Sequence, residues 1–205
     1  IKQGSIITDV LEDCYIDDFD SVLQGEITLT VTQLQQTADS LSMVLDVDLT
    51  QAAFKEPAQM IIKDPVMVTL TNSPLLKQIK VEPRDSVVRY EFDDGDHFTL
   101  SLFSLTRRLD LSTALYHNEF EGRVAFSGFG HDLLFETSQP LQGFIGEYPH
   151  QGRVELKDSQ NNLLSVTANQ VIYSGAANIV FNSSEAIHSN WFDISDGALW
   201  RWPGM

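Results

Sequence analysis

Two groups of carboxylates, five histidines and one cysteine are the side chains of this sequence best equipped for chemistry. Asp93, Asp94 and Asp96 crowd one short stretch, and Asp17, Asp18 and Asp20 crowd another. Hard cations such as calcium take several carboxylate oxygens at once. Neither group has the spacing or the terminal Glu of a helix-loop-helix calcium site, and carboxylates also form ordinary turns. His97, His117, His131, His150 and His188 stand singly. A sheet that gathered His117, His131 and His150 at one rim would suit catalytic zinc with an open position, but nothing in their spacing requires them to meet. Cys14 has no second cysteine to pair with. It makes no intrachain disulfide and no cysteine-based zinc site, and the carboxylates of Glu12, Asp13 and Asp17 around it oppose a thiolate. It reads as a buried structural thiol.

The strict enzyme motifs are missing. There is no Gly-x-Ser-x-Gly elbow, no His-Glu-x-x-His and no phosphate loop. Gly128-Phe129-Gly130 lacks the third glycine of a dinucleotide fingerprint and lies among strands. A carboxylate pair for glycoside cleavage is defined by distance in space, and with 29 acids some pair falls at any chosen separation. Asn182-Ser183-Ser184 matches a glycosylation acceptor, a triplet that chance supplies readily. No catalytic residue, metal ligand or cofactor is assigned from the sequence, and the ligand-binding residues stay unassigned.

Charge excludes more than it identifies. Thirteen Lys+Arg against 29 Asp+Glu give a formal net charge of −16. Nucleic-acid binding needs a basic face that releases counterions, and the longest basic run is the pair Arg107-Arg108. An anionic membrane surface is disfavoured on the same ground. The longest uncharged stretch, Ser159 to Ser184, holds Asn161, Asn162, Asn169, Gln170 and Asn178 and is too polar to span a bilayer. The chain opens at Ile1, so a leader or lipid anchor upstream stays open.

The elements that must position these groups are strands. In 41–49 every odd position is apolar and nearly every even one is polar, the pattern of a half-buried strand. Residues 26–31 and 66–71 repeat it. Asp93-Asp94-Gly95-Asp96 joins 87–92 to 97–102 as a hairpin, Asp-Gly supplying the positive φ of a tight reversal. Further strands read at 111–117, 122–128, 132–137, 152–157, 163–167 and 170–173, with 158–162 as a second turn. Leu11, Tyr15, Phe19 and Leu23, at four-residue steps, mark a candidate amphipathic helix over 9–23. A short helix starting at Ser184 or Glu185 is a second, with Trp191, Phe192, Trp200 and Trp202 as packing anchors. Phe98, Phe103, Phe120, Phe126, Phe129, Phe135 and Phe144 serve a core by default; a curved sheet with an apolar hollow for a lipid or hydrophobic peptide is the functional alternative.

The second half has a cadence of its own. Phe126-Ser127-Gly128-Phe129-Gly130 leads to Leu134-Phe135-Glu136-Thr137 and Pro140-Leu141; then come Tyr148-Pro149-His150-Gln151-Gly152 and Leu163-Leu164-Ser165-Val166-Thr167-Ala168. Over 120–200 this resembles bacterial cell-envelope β-rich proteins of unknown function, many of them predicted lipoproteins. Their pattern is a strand, a Thr…Pro-Leu segment, a Pro-x-x-Gly turn and a strand pair ending in Val-Thr-Ala. Ser195-Asp196-Gly197-Ala198-Leu199-Trp200 loosely echoes their acidic turn and late Trp. Ala176-Ala177-Asn178 stands where they often carry an Asp-rich Gly turn. The resemblance implies an exported protein, periplasmic or outer-membrane-associated, and brings no catalytic residues.

The expectation is a mainly β chain: an antiparallel curved sheet, open barrel or sandwich with minor helix. It forms a single β-rich domain over 1–205, with 1–82 and 83–205 as two sheet-forming halves in the alternative. The favoured function is a non-enzymatic envelope protein that binds a ligand or protein partner or has a structural role. The competing reading is a hydrolase whose carboxylates or histidines converge only on folding.

Overall fold

Side chains of alternating polarity can all be sorted at once only if the backbone is extended, and the chain is built accordingly. The computed structural model describes residues 1–16, 21–55, 58–62, 64–83, 87–92, 95–128, 132–169 and 175–191. In chain order the strands are β1 (Ile6–Ile16), β2 (Ser21–Gln36), β3 (Leu41–Lys55), β4 (Ala58–Ile62), β5 (Val66–Asn72), β6 (Leu76–Pro83) and β7 (Val88–Phe92). They continue as β8 (His97–Asp110), β9 (Leu115–Phe126), β10 (Leu133–Phe144), β11 (Gln151–Lys157), β12 (Leu163–Ala168), β13 (Ala176–Phe181) and β14 (Ile187–Asn190).

All fourteen belong to one sheet, and every pairing between them is antiparallel. The sheet is a meander with two split rungs. β5 and β4 both return along β3, through Leu45↔Val68 and Phe54↔Met60. β6 and β7 both run beside β8, through Val81↔Leu105 and Tyr90↔Phe98. Asp64-Pro65 interrupts the first rung, and Pro83 ends β6 at the second break; proline brings no N–H to a ladder. On the neighbouring strand β8 slips register between Ser101 and Ser104, where Leu102 takes a φ of 50°. A bulge of this kind bends its strand and raises the local twist.

The sheet does not close: β1 pairs only with β2 and β14 only with β13 among the described residues. It is therefore an open curved sheet rather than a barrel, and one sheet rather than the two of a sandwich. Its accessible surface is 12230 Å², against roughly 9,600 Å² for a compact protein of this mass. Among the described residues a buried apolar cluster lies in the C-terminal strands, where Leu141, Val154, Val166, Ala168 and Ala177 pack with Trp191.

The helix expected over 9–23 is not formed. Residues 6–16 are β1 and 21–36 are β2, paired through Ile7↔Leu29 and Tyr15↔Val22. A four-residue step is also two strand periods, so the spacing of Leu11, Tyr15 and Leu23 serves both geometries. Phe19, with Asp17, Asp18 and Asp20, lies outside the described residues. The strand expected over 111–117 starts late. Leu111–Ala114 are a turn, tied by the Asp110 carboxylate, which accepts from the Ser112 N–H at 2.8 Å and hydroxyl at 2.6 Å. The expected helix beyond Ser184 gives way to β14 at Ile187–Asn190; Phe192, Trp200, Trp202 and residues 170–173 lie outside the described residues. The reversals at Gly95 (φ 89°) and Asn161 (φ 65°) stand where the turn residues put them.

Candidate functional site

Directly paired residues share a face of a sheet, so the register sorts the side chains. One row runs Val31, Leu45, Val68, Val81, Leu105, Phe120 across β2, β3, β5, β6, β8 and β9. At β10 the ladder bulges, and the Thr137 hydroxyl accepts from the Phe120 N–H at 3.0 Å and donates to the Phe120 carbonyl at 3.3 Å. The row then resumes through Thr137, Val154, Val166, Ile179 and Ile187. Only part of it is covered: Val31, Leu45, Val154 and Val166 are buried, whereas Val68, Val81 and Leu105 are half-buried.

The charges are sorted with equal consistency. The carboxylates of β3 through β11 fall on the opposite face, from Asp46 and Asp48 through Glu82, Glu91 and Asp110 to Glu119, Glu121, Glu136 and Glu155. Among the described residues of β5 to β12, Lys77 and Arg107 are the charged side chains on the apolar face. Strand alternation thus splits the Arg107-Arg108 pair, one residue to each face.

Arg107 sits in the row Met43, Leu70, Ile79, Arg107, Asn118, Leu141. Its guanidinium carbon lies 5.7 Å from the centre of the Tyr116 ring, a cation–π contact. Burial pulls its pKa down, partly offset by the Tyr116 phenol. Its Nε and the Oδ1 of the adjacent Asn118 are both buried without a hydrogen-bond partner among the described residues. Tyr116 is 3% exposed and donates its hydroxyl to the Glu147 carbonyl at 2.9 Å. Burial raises its pKa, Arg107 works against that rise, and Glu147 adds to it.

The opposite face carries a shallow groove formed by two hollows of about 370 and 400 Å³ that share Glu121 and Glu136. Glu121, Glu136 and Glu155 are directly opposed on β9, β10 and β11. Among the described residues, the ion pair of these three is Glu155 with Arg153 at 2.9 Å, and the Arg153 Nε–H is not aimed at it. Leu102, 69% exposed, and Leu134 stand at the rim of the first hollow.

The groups singled out by sequence do not converge. His117 lies on the charged face opposite Arg108, His150 is buried and stacked on Phe144 at 5.5 Å, and His131 lies outside the described residues. His188 meets the Asn178 Oδ1 at 2.7 Å. Asp96 accepts from the Ser127 hydroxyl at 2.8 Å; Asp93, Asp94, Phe129, Gly130 and the Cys14 side chain lie outside what is described. Asn182 spends its side chain on the Leu163 N–H and on Asn162. Among the described residues, no group of three His, Cys, Asp or Glu is arranged to hold a metal. None of their helices is long and apolar enough to cross a membrane.

Arg107 and Asn118 are what sequence reading missed. Leu105, Arg107 and Leu109 alternate with Thr106 and Arg108, which marks Arg107 as a charge on an apolar face. No protein-family model, curated protein or solved structure matches this chain.

Proposed function

We propose that this chain is a non-enzymatic binding protein of the cell envelope that holds a ligand with a long apolar body against the apolar face of its sheet. The observation that carries the reading is the row from Val31 to Ile187, which no carboxylate interrupts and whose middle is only half-covered. A contiguous apolar row left partly open to solvent supports an interaction surface there. The resemblance over 120–200 supports the envelope assignment. The test is titration with N-phenyl-1-naphthylamine, a neutral dye that brightens in apolar surroundings. The full chain should bind it saturably, and Val81→Asp, with its strand signal in circular dichroism retained, should weaken binding about tenfold or more, since a charge is costly there. Absence of saturable binding by the native chain would defeat the proposal.

A hydrolase is the second reading, favoured by the opposed Glu121, Glu136 and Glu155 in the groove. Turnover of a nitrophenyl glycoside that vanishes in Glu136→Gln would establish it.

A further inference from the structure

We infer that the apolar face is built for an amphiphile whose headgroup is a carboxylate, seated on Arg107 with Asn118 beside it. The inference rests on the binding reading above and adds the chemistry of the ligand's polar end.

A half-buried guanidinium is ordinarily matched by a carboxylate, because a desolvated charge without a partner is unfavourable. This chain has more than enough acids to supply one, 29 against 13 bases. It does so elsewhere: Arg89 lies 2.7 Å from Glu91, Arg123 3.5 Å from Asp132, and Arg153 2.9 Å from Glu155. Those three pairs lie on or beside the charged face. Among the described residues, the partner of Arg107 is the Tyr116 ring. Among the described residues the acids are kept off its face rather than lacking: Glu119, next to Asn118, and Asp110, farther along β8, point the other way.

Arg89 Nε and Arg153 Nε are likewise buried without a hydrogen bond among the described residues but lie beside a carboxylate, whereas Arg107 Nε lies beside Asn118. Arg107 Nε and Asn118 Oδ1 belong to directly paired residues, and both are buried. The guanidinium of half-buried Arg107 and the amide of Asn118, on directly paired residues of one face, together offer N–H donors of the kind that suits the two oxygens of a carboxylate. One guanidinium balances one negative charge. A dianionic phosphate would need a second cation, and Lys77, diagonal to Arg107 on this face, is exposed and solvated. Leu105, Val81 and Val68 run outward from the charge across three strands, so a single aliphatic chain can lie along the row with its head at Arg107.

The test measures displacement of N-phenyl-1-naphthylamine from the full chain by laurate, dodecanol and dodecyltrimethylammonium, each below its micellar concentration. Laurate should compete about tenfold or more better than dodecanol, the scale of one charge-assisted pair, and the cationic amphiphile worst. Arg107→Gln should erase the laurate preference and leave dodecanol unchanged; Arg107→Lys should keep part of it, retaining the charge without the fork. Equal competition by the three on the native chain would overturn the inference without needing a variant, while leaving binding by the apolar face intact. A preference for laurate that survives in folded Arg107→Gln would also overturn it. If the dye itself does not bind, both this inference and the reading beneath it fall.

Discussion

The ring of Tyr116 lies across Gly143, its directly paired neighbour on β10. A Cβ at Gly143 would stand 2.6 Å from the ring's Cζ and 2.9 Å from Cε1. The ring has no easy retreat, because Tyr116 is buried and its hydroxyl is fixed on the Glu147 carbonyl. Gly143→Ala should therefore destabilise the fold by roughly 1–3 kcal/mol, the scale of an overpacked core. Gly128→Ala, where nothing lies within 4 Å, should change little. Urea midpoints of the two variants check the contrast.

Thr137 bridges the β10 bulge by serving both backbone groups of Phe120. Valine keeps the shape and removes the hydroxyl, leaving a part-buried N–H and carbonyl without their partner. Thr137→Val should cost about 1–3 kcal/mol, and Thr137→Ser should recover most of it. The exchange rate of the Phe120 amide, faster in the valine variant alone, locates the effect.

Much of this fold was legible because period-two alternation is a local signal. Residues 41–49, 66–71 and 87–102 declare their strands directly, and Gly95 and Asn161 declare their reversals. Leu11, Tyr15 and Leu23 misled because a four-residue step is common to helix and strand. What the sequence could not disclose is register. Nothing local aligns Glu121 with Glu136 and Glu155, which depends on a bulge in β10 and slips on both sides of it. The isolation of Arg107 likewise appears only once six strands are placed side by side, although its alternation with Leu105 and Leu109 was readable.

Alkaline pH should single out Tyr116. Burial holds its phenol well above the ordinary tyrosine range, so the folded chain keeps a proton that the unfolded chain releases from about pH 10. The folded state binds more protons there, and stability must fall as pH rises above that value. Tyr116→Phe removes this contribution, so its urea midpoint should decline less steeply between pH 9 and pH 11 than that of the native chain. Absorbance at 295 nm should also show one tyrosine fewer titrating late. A parallel decline in both proteins would refute the assignment.

The groove offers the opposite kind of prediction, a gain. Glu136 faces Glu121 on one side and Glu155 on the other, and like charges directly opposed across strands are destabilising by a few tenths of a kcal/mol to about 1 kcal/mol per pair. Glu136 and Glu121 are exposed, so solvent and salt screen the repulsion and the lower end of that range applies. Glu136→Gln should therefore stabilise the chain by about 0.5 kcal/mol at low salt, with the gain shrinking as salt is added. Glu119→Gln is the control, since its cross-strand partner is Thr106 rather than an acid, and it should show no such salt-dependent gain. Thermal unfolding of both variants at 10 mM and 500 mM sodium chloride separates the cases. Equal midpoints for Glu136→Gln and the native chain at low salt would mean that the three carboxylates do not repel one another in the folded sheet, and the register of β10 would then need revision.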